Sequence, residues 1–214
     1  GKEEQAEDAR LRAVAAGGEA PQLMARLAAD RFESASARME LTSAADHLDE
    51  AIRLFLLCGD RGGAAKSLLH AGDLWMIRHD PARARTVLSQ ARDICREDGI
   101  SAMEAEALLG LGIAARMDGD FGTALDAFAE ASSLTEGHPV LAAMVNAHRG
   151  ATEAACDAIE NAVDALATAE SQLQSGWDAV ADTIHDALLG FIDLARAREA
   201  KLEDRQDDVD VHVD

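Results

Sequence analysis

The sequence predicts an all-α fold built from antiparallel pairs of helices. Its 214 residues are 48% hydrophobic but only 3% aromatic, and Tyr is absent. We find no alternating run of β-branched residues bounded by turns, which would indicate a strand. Apolar residues instead recur at helical spacing, and small residues recur at longer, nearly constant intervals. These three observations predict a repeated helix–turn–helix arrangement.

The N-terminal part, residues 1–20, is predicted to form a helix or a flexible lead. Its polar helix runs from about Glu3 to Ala16 and is broken at Gly17-Gly18. The first helix pair then occupies about 21–60, with a break predicted between residues 42 and 46. Two registers remain open for its second helix: the strict repeat step favours Ala44, Leu48 and Ala51, and the local pattern favours Ala51, Phe55 and Cys58. Residues 59–63, with three glycines, are predicted to form the connecting loop.

The second pair occupies about 61–100. Gly72 marks a close approach of the two helices, and Asp80-Pro81 is a good helix start, because Asp caps free amides and Pro fits the first helical position. Asp98-Gly99 closes the pair. Small and apolar residues follow at helical spacing in the second helix, at Ala84, Leu88 and Ala91.

The third pair, about 101–138, repeats this pattern 40 residues later. Its turn is Asp118-Gly119-Asp120, in which Gly119 is expected to take a positive φ and Asp120 to cap the next helix. The small positions are Gly112, Ala124 and Ala131, and the apolar stripe contains Leu108, Leu111, Leu125, Phe128 and Leu134.

A fourth pair, about 139–175, keeps the small-residue spacing at a step of 38, through Gly150, Ala162, Leu166 and Ala169. Between its helices the Gly-Asp turn is missing. A terminal helix is predicted over 176–202, opened by a capping-box-like start at Ser175. Residues 204–214 form an acidic tail that is expected to be frayed.

The third pair resembles the tetratricopeptide repeat (TPR), and the second pair repeats the resemblance. Leu111-Gly112 fill the Leu-Gly positions of the family, Gly119-Asp120-Phe121 fill its turn, and Ala124, Phe128 and Ala131 fill its second-helix signature. The period of 40 exceeds the usual 34, so the chain is similar to members with extended repeats, including bacterial regulators with helical sensor arrays. The resemblance implies a right-handed TPR-like α-solenoid over residues 21–203.

The resemblance also implies a concave groove, lined by the first helix of each pair, in which a peptide or helix binds. A clamp for a terminal carboxylate is not expected, because apolar or acidic residues occupy the corresponding places. Family positions assign the groove to Lys66, Leu69, Asp73, Met76, Glu106, Leu109, Ile113 and Arg116. A mostly apolar floor with a few charges is therefore expected.

Charge argues against nucleic acid as a partner. The formal net charge is −20, and a phosphate backbone requires a concentrated basic face. No apolar stretch is long enough to span a membrane and no leader opens the chain, so the sequence predicts a cytoplasmic protein without membrane contact. Scarce Lys beside plentiful Arg and Ala indicates a GC-rich bacterial source.

No constellation of residues predicts catalysis, a metal site or a cofactor. The seven histidines include no pair four residues apart on one helix, and no phosphate loop or nucleophile elbow is present. Cys58, Cys95 and Cys156 are predicted to be buried structural thiols.

The predicted function is a non-catalytic scaffold that binds a protein or peptide. The alternative is a regulatory or sensor TPR region belonging to a larger bacterial transcription regulator or kinase, and an enzyme is the less favoured third hypothesis. A homodimer is also possible, because an exposed apolar repeat face can pair with its twin.

Overall fold

The computed structural model describes residues 20–156 and 158–175. Within these residues the chain forms eight α-helices and no strand, so the predicted all-α fold is confirmed. The predicted lead (except Ala20), the terminal helix over 176–202 and the acidic tail lie outside the described residues. The helices are α1 (Ala20–Ala37), α2 (Leu41–Leu57), α3 (Arg61–Ile77), α4 (Pro81–Asp98), α5 (Ser101–Met117), α6 (Phe121–Ser132), α7 (Pro139–Ala155) and α8 (Ile159–Ser175).

The helices belong to two compact units, divided between Met103 and Glu104. Unit 1 contains α1 to α4, and unit 2 contains most of α5 with α6 to α8. Neighbouring helices pack in chain order, α1 to α4 in unit 1 and α6 to α8 in unit 2. Because the connections are short, the paired helices are antiparallel. The helix-pair repeat is confirmed, while the limits proposed for the repeat domain stay a prediction.

The second helix of each pair carries three buried residues spaced i, i+4 and i+7. The middle one is the largest, and it fills the space between the two helices. The first and third residues of each set are alanines. These residues, all at most 1% exposed, are Ala44, Leu48 and Ala51 in α2; Ala84, Leu88 and Ala91 in α4; Ala124, Phe128 and Ala131 in α6; and Ala162, Leu166 and Ala169 in α8. Of the two registers left open for the first pair, α2 therefore follows the 40-residue step.

In the second, third and fourth pairs, glycine on the first helix makes room for the large middle residue of the second helix. A Cβ added at Gly72 would lie 2.4 Å from Leu88 Cδ2, and one added at Gly112 would lie 2.4 Å from Phe128 Cε1. At Gly150 the nearest atom, Cγ of the corresponding leucine in α8, would be 2.8 Å away. No real Cβ atom tolerates these distances, so the close approach predicted at these glycines is present.

Turns within the first three pairs use one left-handed residue at a constant repeat position. The residue is Met39 (φ 59°) in the first pair, His79 (φ 56°) in the second and Gly119 (φ 78°) in the third. The positive φ predicted for Gly119 is confirmed. Met39 and His79 adopt a conformation that costs an L-residue roughly 1–2 kcal/mol.

Aspartate caps the second helices of pairs two and three as predicted. Asp80 Oδ1 accepts from the backbone N–H of Arg83 at 3.0 Å, and Asp120 Oδ1 accepts from that of Thr123 at 3.2 Å. In the first pair the same position is Glu40, whose side chain makes no cap hydrogen bond.

Two local predictions about the first connections are wrong. The break in the first pair lies before Leu41, where α2 begins, and not between residues 42 and 46. The loop predicted over residues 59–63 is also shorter than expected, because α3 already begins at Arg61. Gly63 is helical, and a Cβ there would lie 2.6 Å from Phe55 Cδ1, so this glycine serves helix packing.

The cysteines differ in burial. Cys95 is fully buried, as predicted, and Cys58 is half-buried. Cys156 follows directly after α7 and is exposed, so the prediction that it is buried is wrong. Helical spacing placed it on an apolar face, but the helix ends one residue earlier.

Candidate functional site

The eight predicted groove residues lie on the first helices of the second and third pairs, four on α3 in unit 1 and four on α5 in unit 2. They differ in how far solvent reaches them. Lys66, Asp73 and Glu106 are exposed; Met76, Ile113 and Arg116 are half-buried; Leu69 and Leu109 are buried, with 8% and 5% of their surface exposed.

The two buried leucines contribute to the core more than to a surface. Leu109 belongs to the apolar cluster that contains Phe128 of α6 and Val145 of α7. Leu69 is similarly buried in α3. The accessible part of the predicted surface is therefore more polar than the expected apolar floor.

In unit 1 the exposed residues of α3 surround His70. Its ring lies 5.3 Å, centroid to centroid, from the ring of Phe32 in α1. Burial lowers the pKa of His70, the positive charge of Lys66 lowers it further, and Glu33 of α1 acts in the opposite direction. Charged groups of both signs therefore lie close to one half-buried imidazole.

We define the unit 1 surface as Glu33, Lys66, His70, Asp73 and Met76. Four of these residues lie on α3 within about three turns, and Glu33 adds a carboxylate from α1. The sequence pattern did not identify Glu33 as a site residue, because the register of the first pair was open. Once the 40-residue step is known, Glu33 is the equivalent of Asp73.

In unit 2 an imidazole is again at the centre, and it is held by two neighbours. The ring of His148 in α7 stacks on Phe128, with centroids 6.2 Å apart and an interplanar angle of 24°. Arg116 Nη2 lies 3.4 Å from His148 Nδ1. Because a guanidinium group only donates, Nδ1 must be unprotonated for this contact to be favourable. His148 is therefore neutral, with its proton on Nε2.

The electrostatics of His148 agree with that assignment. Burial, followed by the positive charge of Arg116, lowers its pKa from 6.5 to about 4. A cation that donates to an imidazole disfavours the imidazolium. At neutral pH the contact between His148 and Arg116 therefore pairs a neutral imidazole with a positive guanidinium group.

His70 and His148 occupy the same position in their repeats, one on the first helix of the second pair and one on that of the fourth. Between them, at the equivalent place in α5, the sequence has Gly110. The spacing expected of a zinc-binding histidine pair does not reveal this equivalence. The signal that could have found it is the repeat step itself, 40 residues and then 38.

We define the unit 2 surface as Glu106, Ile113, Arg116, Met144 and His148. Glu106 is exposed and supplies a negative charge, while Arg116 supplies a positive one. Ile113 and Met144 are partly buried and pack on the apolar cluster of the unit. The surface combines a partly accessible apolar centre with two fixed charges.

Neither surface has the ligands of a metal centre. Across residues 20–156 and 158–175, no three His, Cys, Asp or Glu side chains lie together in a way that could hold a metal ion. None of the helices described here is both long enough and apolar enough to cross a lipid bilayer.

Comparison with known proteins supports the fold. No family model and no curated protein sequence matches the chain. Among solved structures, the chain is similar to one reported as the crystal structure of MamA protein, with a TM-score of 0.54 and 16% sequence identity. The match covers 83% of this chain and 93% of that chain. At this identity the likeness concerns the fold alone, and it shows that the chain has a TPR-like arrangement of helical repeats.

Proposed function

We propose that the protein is a non-catalytic interaction scaffold that binds a peptide or helix on the first helices of its repeats. The observation that carries the proposal is the exposure of Lys66, Asp73 and Glu106 on these helices, beside half-buried apolar side chains. Such a surface offers an apolar contact area for affinity and fixed charges for orientation. The similarity to the MamA fold supports a helical-repeat scaffold.

Each unit supplies its own surface. On the unit 1 surface a ligand would meet Glu33, Lys66 and Asp73, so its charges would have to alternate. On the unit 2 surface it would meet Glu106 and Arg116 around Ile113 and Met144. The proposal covers both predicted settings, a separate scaffold and a sensor region of a larger regulator, because both would use these surfaces.

The test is selection from a displayed library of short random peptides, followed by affinity measurement on purified variants. The site variant combines Lys66→Glu with Glu106→Lys and leaves the net charge of −20 unchanged. The control combines Arg96→Glu with Asp126→Lys, which are exposed on second helices and also leave it unchanged.

Selected peptides should bind the site variant at least about tenfold more weakly than wild type, a loss of about 1.4 kcal/mol, and should bind the control as they bind wild type. Equal binding to both variants would place the contact elsewhere and refute the assignment of these surfaces. Circular dichroism should show the same helix content in all three proteins, because every substituted residue is exposed.

A further inference from the structure

Two guanidinium groups lie over one tryptophan ring at the turn between α3 and α4. The Cζ atoms of Arg78 and Arg83 are 5.1 Å and 4.6 Å from the centroid of the Trp75 ring. Trp75 and Arg78 are half-buried, and Arg83 is exposed. Arg78 also reaches the neighbouring pair, because its Nη2 donates to Oγ1 of Thr42 in α2 at 3.3 Å. We call Thr42, Trp75, Arg78 and Arg83 the turn surface of unit 1.

The first pair has the same arginine in a different environment. Arg38 lies 40 residues before Arg78. Its guanidinium binds both carboxylate oxygens of Glu40, with Nε donating to Oε1 at 2.8 Å and Nη2 to Oε2 at 3.2 Å. Two-point pairing of this kind is a strong contact between an arginine and a carboxylate. Arg38 therefore has a carboxylate partner within its own turn.

In the second pair the equivalent carboxylate is engaged elsewhere. Asp80 is one methylene shorter than Glu40, and its Oδ1 accepts from the backbone N–H of Arg83 as the cap of α4. Its Oδ2 lies 3.3 Å from Nε of the same arginine. Among the described residues, Arg78 contacts the hydroxyl and the ring named above and pairs with no carboxylate. Its charge is not neutralised locally, although the chain has 40 acidic residues and 20 basic ones.

The turn itself does not require these side chains. At the equivalent positions of the third pair, 40 residues later, the chain has Ala115, Asp118 and Thr123. Both turns nevertheless have a left-handed residue and an aspartate cap. The aromatic ring and the two cations are therefore additions to the second pair, and the geometry of the turn does not explain them.

We propose that the turn surface binds an acidic peptide segment of a partner protein, with a carboxylate on Arg78. Two guanidinium groups against the single carboxylate of Asp80 leave this surface locally positive. The incoming carboxylate takes the position that Glu40 occupies on Arg38, and Nε of Arg78 is available to donate to it.

Two physical effects favour this binding in a chain of net charge −20. The indole ring and the Thr42 hydroxyl hold the guanidinium of Arg78 in place before the peptide arrives, so less side-chain freedom is lost on binding. At about 0.15 M salt the Debye length is about 8 Å, so distant negative charges of the chain act only weakly at this surface.

The fluorescence of Trp75 tests the proposal. The chain has two tryptophans, so the test protein is the full chain with Trp177→Phe, in which Trp75 is the sole emitter. The probe is a capped pentapeptide, Ala-Glu-Ala-Glu-Ala, and its uncharged counterpart has glutamine in place of glutamate. Titrated to about 10 mM, the acidic peptide should change the emission in a saturable way, and the glutamine peptide should not. Equal responses to the two peptides, or no response to the acidic one, would overturn the proposal.

Variants in the same background locate the contact. Arg78→Gln should weaken binding of the acidic peptide at least about tenfold. Arg38→Gln is the matched control, because this arginine is the repeat equivalent but is already paired with Glu40, and it should leave the affinity unchanged. Equal losses in the two variants would refute a specific role of Arg78. Circular dichroism should show the same helix content in both, since neither arginine is buried.

A third variant separates this surface from the unit 1 surface of the proposed function. Lys66→Gln removes an exposed cation of the unit 1 surface and should bind the acidic peptide as the parent protein does. Loss of binding in Lys66→Gln, with full binding in Arg78→Gln, would place the peptide on the unit 1 surface. That result would overturn the present proposal and leave the proposed function intact.

A second copy of the chain is the alternative occupant, because it also carries many carboxylates. Light scattering at several protein concentrations, without peptide, distinguishes the two. Wild type and Arg78→Gln should show the same mass at every concentration. A self-association that Arg78→Gln abolishes would mean that a second copy occupies the turn surface, and it would overturn the assignment to a separate partner.

Discussion

Acidification should destabilise unit 2 through His148. The imidazole is neutral in the folded protein because it is buried and because Arg116 lies against Nδ1. In the unfolded chain both constraints are lost and the group regains an ordinary pKa near 6.5. As pH falls below that value, the imidazole binds a proton in the unfolded chain but not in the folded protein.

The sign and size of the effect follow from the two pKa values. Above pH 6.5 both states are neutral at His148, so the group contributes no pH dependence. Between 6.5 and about 4 the unfolded state binds more protons, and the free energy of unfolding falls as pH falls. The full loss is at most about 3–4 kcal/mol, at roughly 1.4 kcal/mol per pH unit, and it is complete below the folded pKa. Residual solvent contact of the half-buried side chain makes this value an upper limit.

Urea unfolding of wild type and His148→Gln, measured at several pH values between about 7 and about 4.5, checks the prediction. Carboxylates titrate in both proteins, so the quantity of interest is the difference between the two pH profiles. Wild type should lose about 2–3 kcal/mol more than His148→Gln over this range. His138→Gln is the matched control, because His138 is exposed in the same unit, and it should keep the wild-type profile.

Parallel profiles for wild type and His148→Gln would refute the reasoning. They would mean that His148 is solvated well enough to bind a proton in the folded state.

Two further predictions concern the helix pairs. Gly112→Ala should lower the free energy of unfolding by about 1–3 kcal/mol, because its Cβ would overlap Phe128. Gly122→Ala, near the start of α6, is the control. A Cβ there would meet only Asp120 Oδ1, at 3.9 Å, so this variant should be as stable as wild type or more stable by up to about 1 kcal/mol. Thermal unfolding of both variants decides this, and a harmless Gly112→Ala would contradict the close approach. His79→Gly should raise stability by about 1 kcal/mol, since φ is 56° there, and Gly119→Ala should lower it by a similar amount. If both turn substitutions leave the melting temperature unchanged, the left-handed turn is not a source of strain.

The sequence allowed the second, third and fourth pairs to be predicted because their chemistry repeats where the geometry repeats. Gly119 and Asp120 supply the left-handed residue and the cap that the turn requires, and Gly112 supplies the space that Phe128 requires. In the first pair the same geometry is present without these residues. Its turn uses Met39 in the left-handed position and Glu40 without a cap hydrogen bond, so the turn has no recognisable sequence signal. The break therefore lies earlier in the chain than the sequence pattern predicts.

Two features of the site could not be predicted from the sequence. One is how deeply each side chain is buried, and the other is which residues of other helices contact it. Helical spacing shows which residues share a face, but it does not show how deeply a neighbouring helix covers them. Leu69 and Leu109 follow the correct spacing and are nevertheless buried. Similarly, burial and then the charge of Arg116 on another helix lower the pKa of His148, and no local pattern indicates that environment.

The first pair has a bulky residue where the later pairs have glycine, and this difference has a consequence for engineering. Phe32 lies 40 residues before Gly72, so a bulky ring stands where the next pair has only a hydrogen atom. Within unit 1 that ring packs with Leu48, Ala71 and the imidazole of His70. Swapping α1 into the place of α3 would set the ring against Leu88, where even a methyl group does not fit. The repeats of this protein are therefore not interchangeable modules, and lengthening the array requires copies of the second pair rather than the first.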